Sequence, residues 1–186
     1  MEKNVSSYTS WQPLEEVIVG QVYTPQHFDF IEDIQIKDQI SQILHESAED
    51  LDNLQKTIEE YGAAVQRPDL PSVDQFHELQ LKEDGVPIPP LTPRDWQITM
   101  GEKLLRVLNV PEMDTIINQY IADDPDCVVD PHKLGYDSDH VMVDAIASCI
   151  VGVGEDVFFD SSEWMTAAQV DWIKNNVLDD RYRTHN

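Results

Sequence analysis

At 186 residues, with 41% hydrophobic and 26% charged positions, the chain is long enough for one domain with a real core and short for two. Thirty-six acids against twelve bases give a formal net charge of −24 at pH 7, spread along the chain. That balance disfavours nucleic-acid phosphates and anionic membranes as partners, and no run of 18 apolar residues reads as a membrane span.

The N-terminus "MEKNVSSYTSW" has no apolar core of a secretory leader, and Cys127 and Cys149 fit no CxxC or metal spacing. A reduced, cytoplasmic protein is therefore expected. The acids alternate with apolar periodicity, the pattern of solvated faces. The sharper alternative is attraction of a cationic ligand or partner, with nucleic-acid mimicry as its extreme.

In chain order, "PLEEVIVG" (13–20) ends in a β-branched run closed by Gly20 and reads as a buried strand. A looser stretch, "QVYTPQHFDFIED", follows. Ile36, Ile40, Ile43, Leu44, Leu51, Leu54 and Ile58 then recur at steps of three and four, which predicts a long amphipathic helix stopped by Gly62 at its C′ position. "AAVQRPD" (63–69) predicts a short strand ended by Pro68. The first unit reads strand–helix–strand.

Residues 70–93 hold five prolines and little periodicity, which predicts a loop with one turn of helix near Phe76. "WQITMGEKLLRVL" reads as two strands turning at Gly101-Glu102. A helix starting at Pro111 presents Met113, Ile116, Ile117, Tyr120 and Ile121, and Asp124-Pro125 stops it. "CVVD" (127–130) is a candidate strand. The order then repeats. "AIASCIVGVGEDVFF" (145–159) is strand, glycine turn, strand; Ser162 caps a helix with Met165, Ala168, Trp172, Ile173 and Val177 inward; "RYRTHN" extends again. Two ββαβ units thus follow a βαβ unit, an α/β pattern that suggests pseudo-symmetric repetition.

Four stretches in order resemble the glycine/inosamine amidinotransferases: "SSYTSWQPLEEVIVG" (6–20), "AAVQRPD" (63–69), "TPRDWQITMGEKLL" (92–105), and "IVGVGEDVFF" with "DDRYRTHN" (150–159 and 179–186). The resemblance implies a pentein-type α/β propeller of five ββαβ-like blades, of which this chain carries about three. Residues 1–186 are then a single incomplete domain, with blades at approximately 11–69, 93–131 and 140–186. It also implies transfer of an amidino group from arginine to an amine such as glycine, through an amidino-cysteine intermediate. That chemistry calls for no metal and no organic cofactor.

Asp95, in Pro93-Arg94-Asp95, matches the position that grips the guanidinium in the family; the competing reading is a turn or cap aspartate. A planar cationic guanidinium suits a carboxylate that accepts a forked pair of hydrogen bonds. Arg94 is expected in a structural ion pair. The carboxylate that orients the catalytic histidine lies upstream of the Gly154-Glu155-Asp156 turn. An ungapped count falls on Ile146, and a two-residue shift brings in Asp144, with an exposed strand-end aspartate as its alternative. The stretch "VLNVPEMDT" lacks the arginine that family members usually carry after the second hairpin strand.

The one His-x-Asp in the 186 residues, His27-Phe28-Asp29, lies upstream of the Pro-Arg-Asp motif, and the two cysteines fall on predicted early strands, where buried structural thiols are the ordinary case. The resemblance places the catalytic His-x-Asp and cysteine downstream of the matched region. These 186 residues alone are therefore expected to be inactive. The expected partners are arginine or another guanidino compound, and a second copy or a complementing C-terminal half. Two other readings remain: a catalytically dead binding module for arginine-like ligands, and an acidic protein-interaction module.

Overall fold

A computed structural model describes residues 4–9, 11–83, 89–107, 110–131, 149–160 and 165–185. The chain forms two compact units, Leu14–Pro93 and Met1–Pro13 with Arg94–Asn186. The fold is mixed α/β, with three small sheets and none of them closed among the described residues.

In the first unit, β1 (Glu16–Ile18) pairs in parallel with β2 (Ala64–Gln66) across the 27-residue helix α1 (Ile34–Glu60). Strand, helix and strand come as read. The helix begins two residues before its first periodic isoleucine because Asp33 caps it, accepting from the Gln35 and Ile36 amides at 2.9 and 3.2 Å. It ends where Gly62 takes φ +92°, a left-handed conformation that glycine adopts without strain. Arg67, just past β2, ties the helix down by donating to Asp52, Gln55 and Gln21. The β1 strand is only half-buried; burial deepens after it, at Val19 and Gly20.

Residues 70–93 differ from the expected loop. They carry an 11-residue helix, α2 (Val73–Glu83), and end at Pro93, where a single helical turn, α3 (Pro93–Trp96), begins. Ser72 and Gln75 start α2 as a reciprocal pair: the Ser72 hydroxyl accepts from the Gln75 amide, and the Gln75 side chain accepts from the Ser72 amide. Phe76 on α2 is fully buried and meets both Tyr23 and His27 edge-on, with ring centroids 4.8 and 5.1 Å away. His27 sits on a short 3-10 turn, Pro25–Phe28. Its Nε2–H donates to the Pro71 carbonyl at 3.0 Å, which leaves Nδ1 to accept from Thr24. The two stretches without periodicity therefore meet as the aromatic core of this unit.

The second unit contains the repeat. β3 (Gln97–Met100) and β4 (Lys103–Arg106) form a hairpin, α4 (Asp114–Asp123) crosses over, and β5 (Val128–Val129) joins β4 in parallel. β6 (Ile150–Val153), β7 (Asp156–Phe159), α5 (Ala167–Asn176) and β8 (Arg183–His185) repeat the order. Gln97 and Ile150, Lys103 and Asp156, Asp114 and Ala167 open corresponding elements, each pair 53 positions apart. Both hairpins turn on Gly-Glu, with Gly101 and Gly154 at φ +59° and +63°. The likeness reaches single hydrogen bonds: Val107 N–H donates to the Trp96 carbonyl, and Asp160 N–H to the Cys149 carbonyl, both at 2.8 Å.

Three details differ from the sequence reading. Pro111–Met113 is a 3-10 turn leading into α4. Thr166, not Ser162, caps α5, exchanging hydrogen bonds with Gln169; Ser162 lies outside the described residues. Ala168 is exposed, and Gln169 and Val170 turn inward instead. Met165 and Val170 share the core formed by Leu105, Ile150, Val157 and Ile173, the positions of a hydrophobic staple about the Thr166 cap.

Candidate functional site

Asp95 lies on the α3 turn that feeds β3. Its two neighbours hold that turn. Trp96 is buried, and its carbonyl accepts the Val107 amide beyond the end of β4. Arg94 donates from Nη2 to the Ile150 carbonyl, at the start of β6, at 3.0 Å. Among the described residues Arg94 therefore braces the backbone of the second sheet and does not form the expected ion pair. The reason is geometric: a carbonyl at a strand start lies within reach of the fork, and among the described residues no carboxylate pairs with it.

The Asp95 carboxylate itself is half-buried. It accepts no hydrogen bond and makes no ion pair among the described residues, so nothing there uses it as a cap. A carboxylate held on a doubly anchored turn and left without a partner is available to a cationic ligand.

The hairpin register shows what surrounds that end of the sheet. Gln97, two residues after Asp95, pairs with Arg106 across β3 and β4. The parallel pairing of Leu105 with Val129 places Asp130 one step on, beside Arg106. Gln97, Arg106 and Asp130 are all buried, so one row of three strands carries three enclosed polar side chains. Buried charge needs a partner; Arg106 finds one in Asp114, Nη2 to Oδ1 at 2.6 Å, at the first residue of α4. Sequence reasoning passed over all three. The signal was an arginine and an aspartate closing the otherwise apolar stretches "KLLR" and "CVVD".

Asp144 and His140 lie outside the described residues. Both cysteines are buried free thiols. Burial, followed by the nearby Asp124 carboxylate, pushes the Cys127 thiol up and keeps it protonated. Among the described residues no cluster of three His, Cys, Asp or Glu could hold a metal ion, and no helix is long and apolar enough to cross a membrane.

A second charged group lies at the far end of the same hairpin. Arg181 grips Asp179 through Nε and Nη2, donates to the Tyr8 hydroxyl at 2.7 Å and stacks 4.2 Å over that ring. Tyr8 in turn donates to Glu102 at 2.6 Å. Tyr8, Glu102, Asp179 and Arg181 thus satisfy one another, which marks a clamp on the N-terminal segment. On the exposed face of the β7–β8 pair, Asp156 accepts from Arg183 and contacts His185 Nε2 at 2.7 Å, and is held at a pKa of about 2, mainly by the Arg183 hydrogen bond and then by His185.

No protein-family model matches the sequence, and no curated protein matches it. Solved structures do resemble the fold. An inosamine-phosphate amidinotransferase from Streptomyces griseus superposes with a TM-score of 0.66 at 17% identity, covering 98% of this chain and 62% of that one. SxtG, an amidinotransferase from Microseira wollei in the saxitoxin biosynthetic pathway, gives 0.66 and 17%, covering 97% and 61%. The chain thus has the fold of amidinotransferases over nearly its whole length and spans about three fifths of the length of the structures it matches. The motif resemblance and the structural likeness point to the same family.

Proposed function

We propose that these residues are the guanidinium-gripping part of an amidinotransferase, and that Asp95 holds the planar cation of arginine or another guanidino compound. The observation that carries this reading is the unpartnered Asp95 carboxylate on its anchored turn, in a fold shared with amidinotransferases. A forked guanidinium bonded to a half-buried carboxylate is stronger than a neutral hydrogen bond and fixes the ligand's plane. The surplus of acids adds long-range attraction for a cation.

In the whole enzyme a cysteine thiolate attacks the guanidinium carbon, the bond to the departing amine breaks as a histidine delivers a proton, and ornithine leaves. An acceptor amine then attacks the amidino-cysteine carbon and releases the thiolate. Asp144 fits the acid that orients that histidine. The family resemblance puts the nucleophile and the catalytic His-x-Asp downstream of the matched stretches, and His27 of the chain's own His27-Phe28-Asp29 is buried against Tyr23 and Phe76, so this chain supplies binding and no turnover alone. The three sheets are then successive blades of a five-bladed propeller.

Arginine should raise the melting temperature of the chain. At ten times its Kd the stabilisation is about 1.4 kcal/mol, or roughly 3–6 °C for a chain of this size. Asp95→Asn should abolish the shift while leaving the unliganded melt unchanged. A parent chain that arginine, agmatine and guanidinoacetate all fail to stabilise would overturn the proposal.

A further inference from the structure

Helix α1 carries two apolar stripes, and its own unit covers only one. Ile40, Leu44, Leu51 and Ile58 are partly covered on a helix that packs on β2 and the 3-10 turn. Ile36, Ile43, Leu54 and Tyr61 are 49%, 61%, 48% and 88% exposed. Their spacings of seven, eleven and seven residues return to one line of a 3.6-residue helix, within about 20°. With Ile40, which borders the covered stripe, and Ser47, Asp50 and Thr57 they form an unbroken four–three sequence, 36, 40, 43, 47, 50, 54, 57, 61. That is the seam of a two-helix coiled coil.

The seam's order selects its occupant. Reversed about its own centre, Ile36 faces Tyr61, Ile40 faces Thr57, Ile43 faces Leu54 and Ser47 faces Asp50: two apolar pairs, an isoleucine on a threonine methyl, and a hydroxyl donor on a carboxylate. The outward flank, Gln39, Glu46, Asn53 and Glu60, then sets Gln39 beside Glu60 and Glu46 beside Asn53, amide against acid with no like-charge pair. A parallel, in-register pair would instead stack Asp50 on Asp50 at the centre of the seam. On a helix with seven acids and two bases, that difference decides between the two arrangements. We infer that α1 pairs with α1 of a second copy of this chain, antiparallel and about a two-fold axis near residues 48 and 49, as a self-complementary interface. The inference is independent of the guanidinium reading, since it uses none of the residues around Asp95.

Sedimentation of the full chain tests it, with one mixing experiment to fix the direction. The parent should be dimeric at tens of micromolar. Its dimer should tighten with added salt, because two chains of −24 each repel through solvent. Ile43→Gln with Leu54→Gln should weaken the dimer at least tenfold with an unchanged helical signal and melt of the monomer, since both side chains are exposed. Ile43→Cys and Leu54→Cys chains, mixed and mildly oxidised, should give a disulfide-linked heterodimer, and neither should cross-link alone. A parent that stays monomeric to millimolar concentration, or Ile43→Cys cross-linking to itself, would overturn the proposal.

Discussion

Replacing Gly20 by alanine tests how the segment before the Asp95 turn is seated within the first unit. A Cβ built at Gly20 falls 1.8 Å from the Leu91 carbonyl oxygen, 2.4 Å from its carbon and 2.9 Å from its Cα. All three are backbone atoms, so no side-chain rotation relieves the clash. A carbon–oxygen contact settles at roughly 3.3 Å, so the chain at Leu91 must withdraw by roughly 1.5 Å. That movement breaks the neighbouring bond in which Gln21 N–H donates to the Pro90 carbonyl at 2.8 Å. Loss of that bond costs about 1 kcal/mol, and overpacking adds about 1–3 kcal/mol. Alanine returns about 0.4–1 kcal/mol by restricting the unfolded chain. The net cost is roughly 1–3.5 kcal/mol, a fall of roughly 2–14 °C in melting temperature. The control is Gly152→Ala, where a Cβ meets nothing within 4 Å and the melt should not fall. Thermal unfolding followed by circular dichroism reads both. Equal melts for the parent and Gly20→Ala would refute the seating of Leu91 on Gly20.

Other consequences are as direct. Thr166→Ala removes the α5 cap and its exchange with Gln169, and should cost about 1 kcal/mol in urea unfolding, with Thr166→Ser restoring most of it. Asp156, with its folded pKa lowered to about 2 from 3.8, contributes stability that is present above pH 3.8 and lost as pH falls toward 2. Asp156→Asn should flatten the acid-range melting profile between those limits, and an unchanged slope would remove the Arg183 and His185 pairing as its source. Burial pushes the Tyr182 phenol up to about 12, so stability complete below pH 10 is lost as pH rises through 12. Its hydroxyl has no hydrogen-bond partner among the described residues. Tyr182→Phe should therefore leave the neutral-pH melt equal or higher and extend stability at alkaline pH; a lower melt at pH 7 would mean the hydroxyl is bonded.

The local alphabet was legible wherever period and punctuation agreed. Isoleucines and leucines at steps of three and four gave α1 its extent, and Gly62 ended it. The two Gly-Glu dipeptides between β-branched runs gave both hairpins, because a left-handed residue between two strands is a local requirement. Five prolines concealed α2. They lie before its Ser72 cap or beyond its last turn, and so frame a helix without interrupting it. The pair Ser72 and Gln75 announced that start, as Thr166 and Gln169 announced α5, and both are signals a sequence reader can use.

Of the candidate site, Asp95 was legible through its motif alone. That its carboxylate has no partner among the described residues is settled only in the folded chain, and Arg94 braces the carbonyl of a residue 56 positions away. Gln97, Arg106 and Asp130 became a polar row only once strand register set them side by side. The same holds for Tyr23, His27 and Phe76, which stand in two aperiodic segments and form a core by contact. Sequence by itself determined the order of strands and helices, since propensity, capping and turn chemistry act over three or four residues. Tertiary structure decided which polar groups are paired and which are left open, because pairing and burial are settled between residues that only the folded chain brings within a few ångströms.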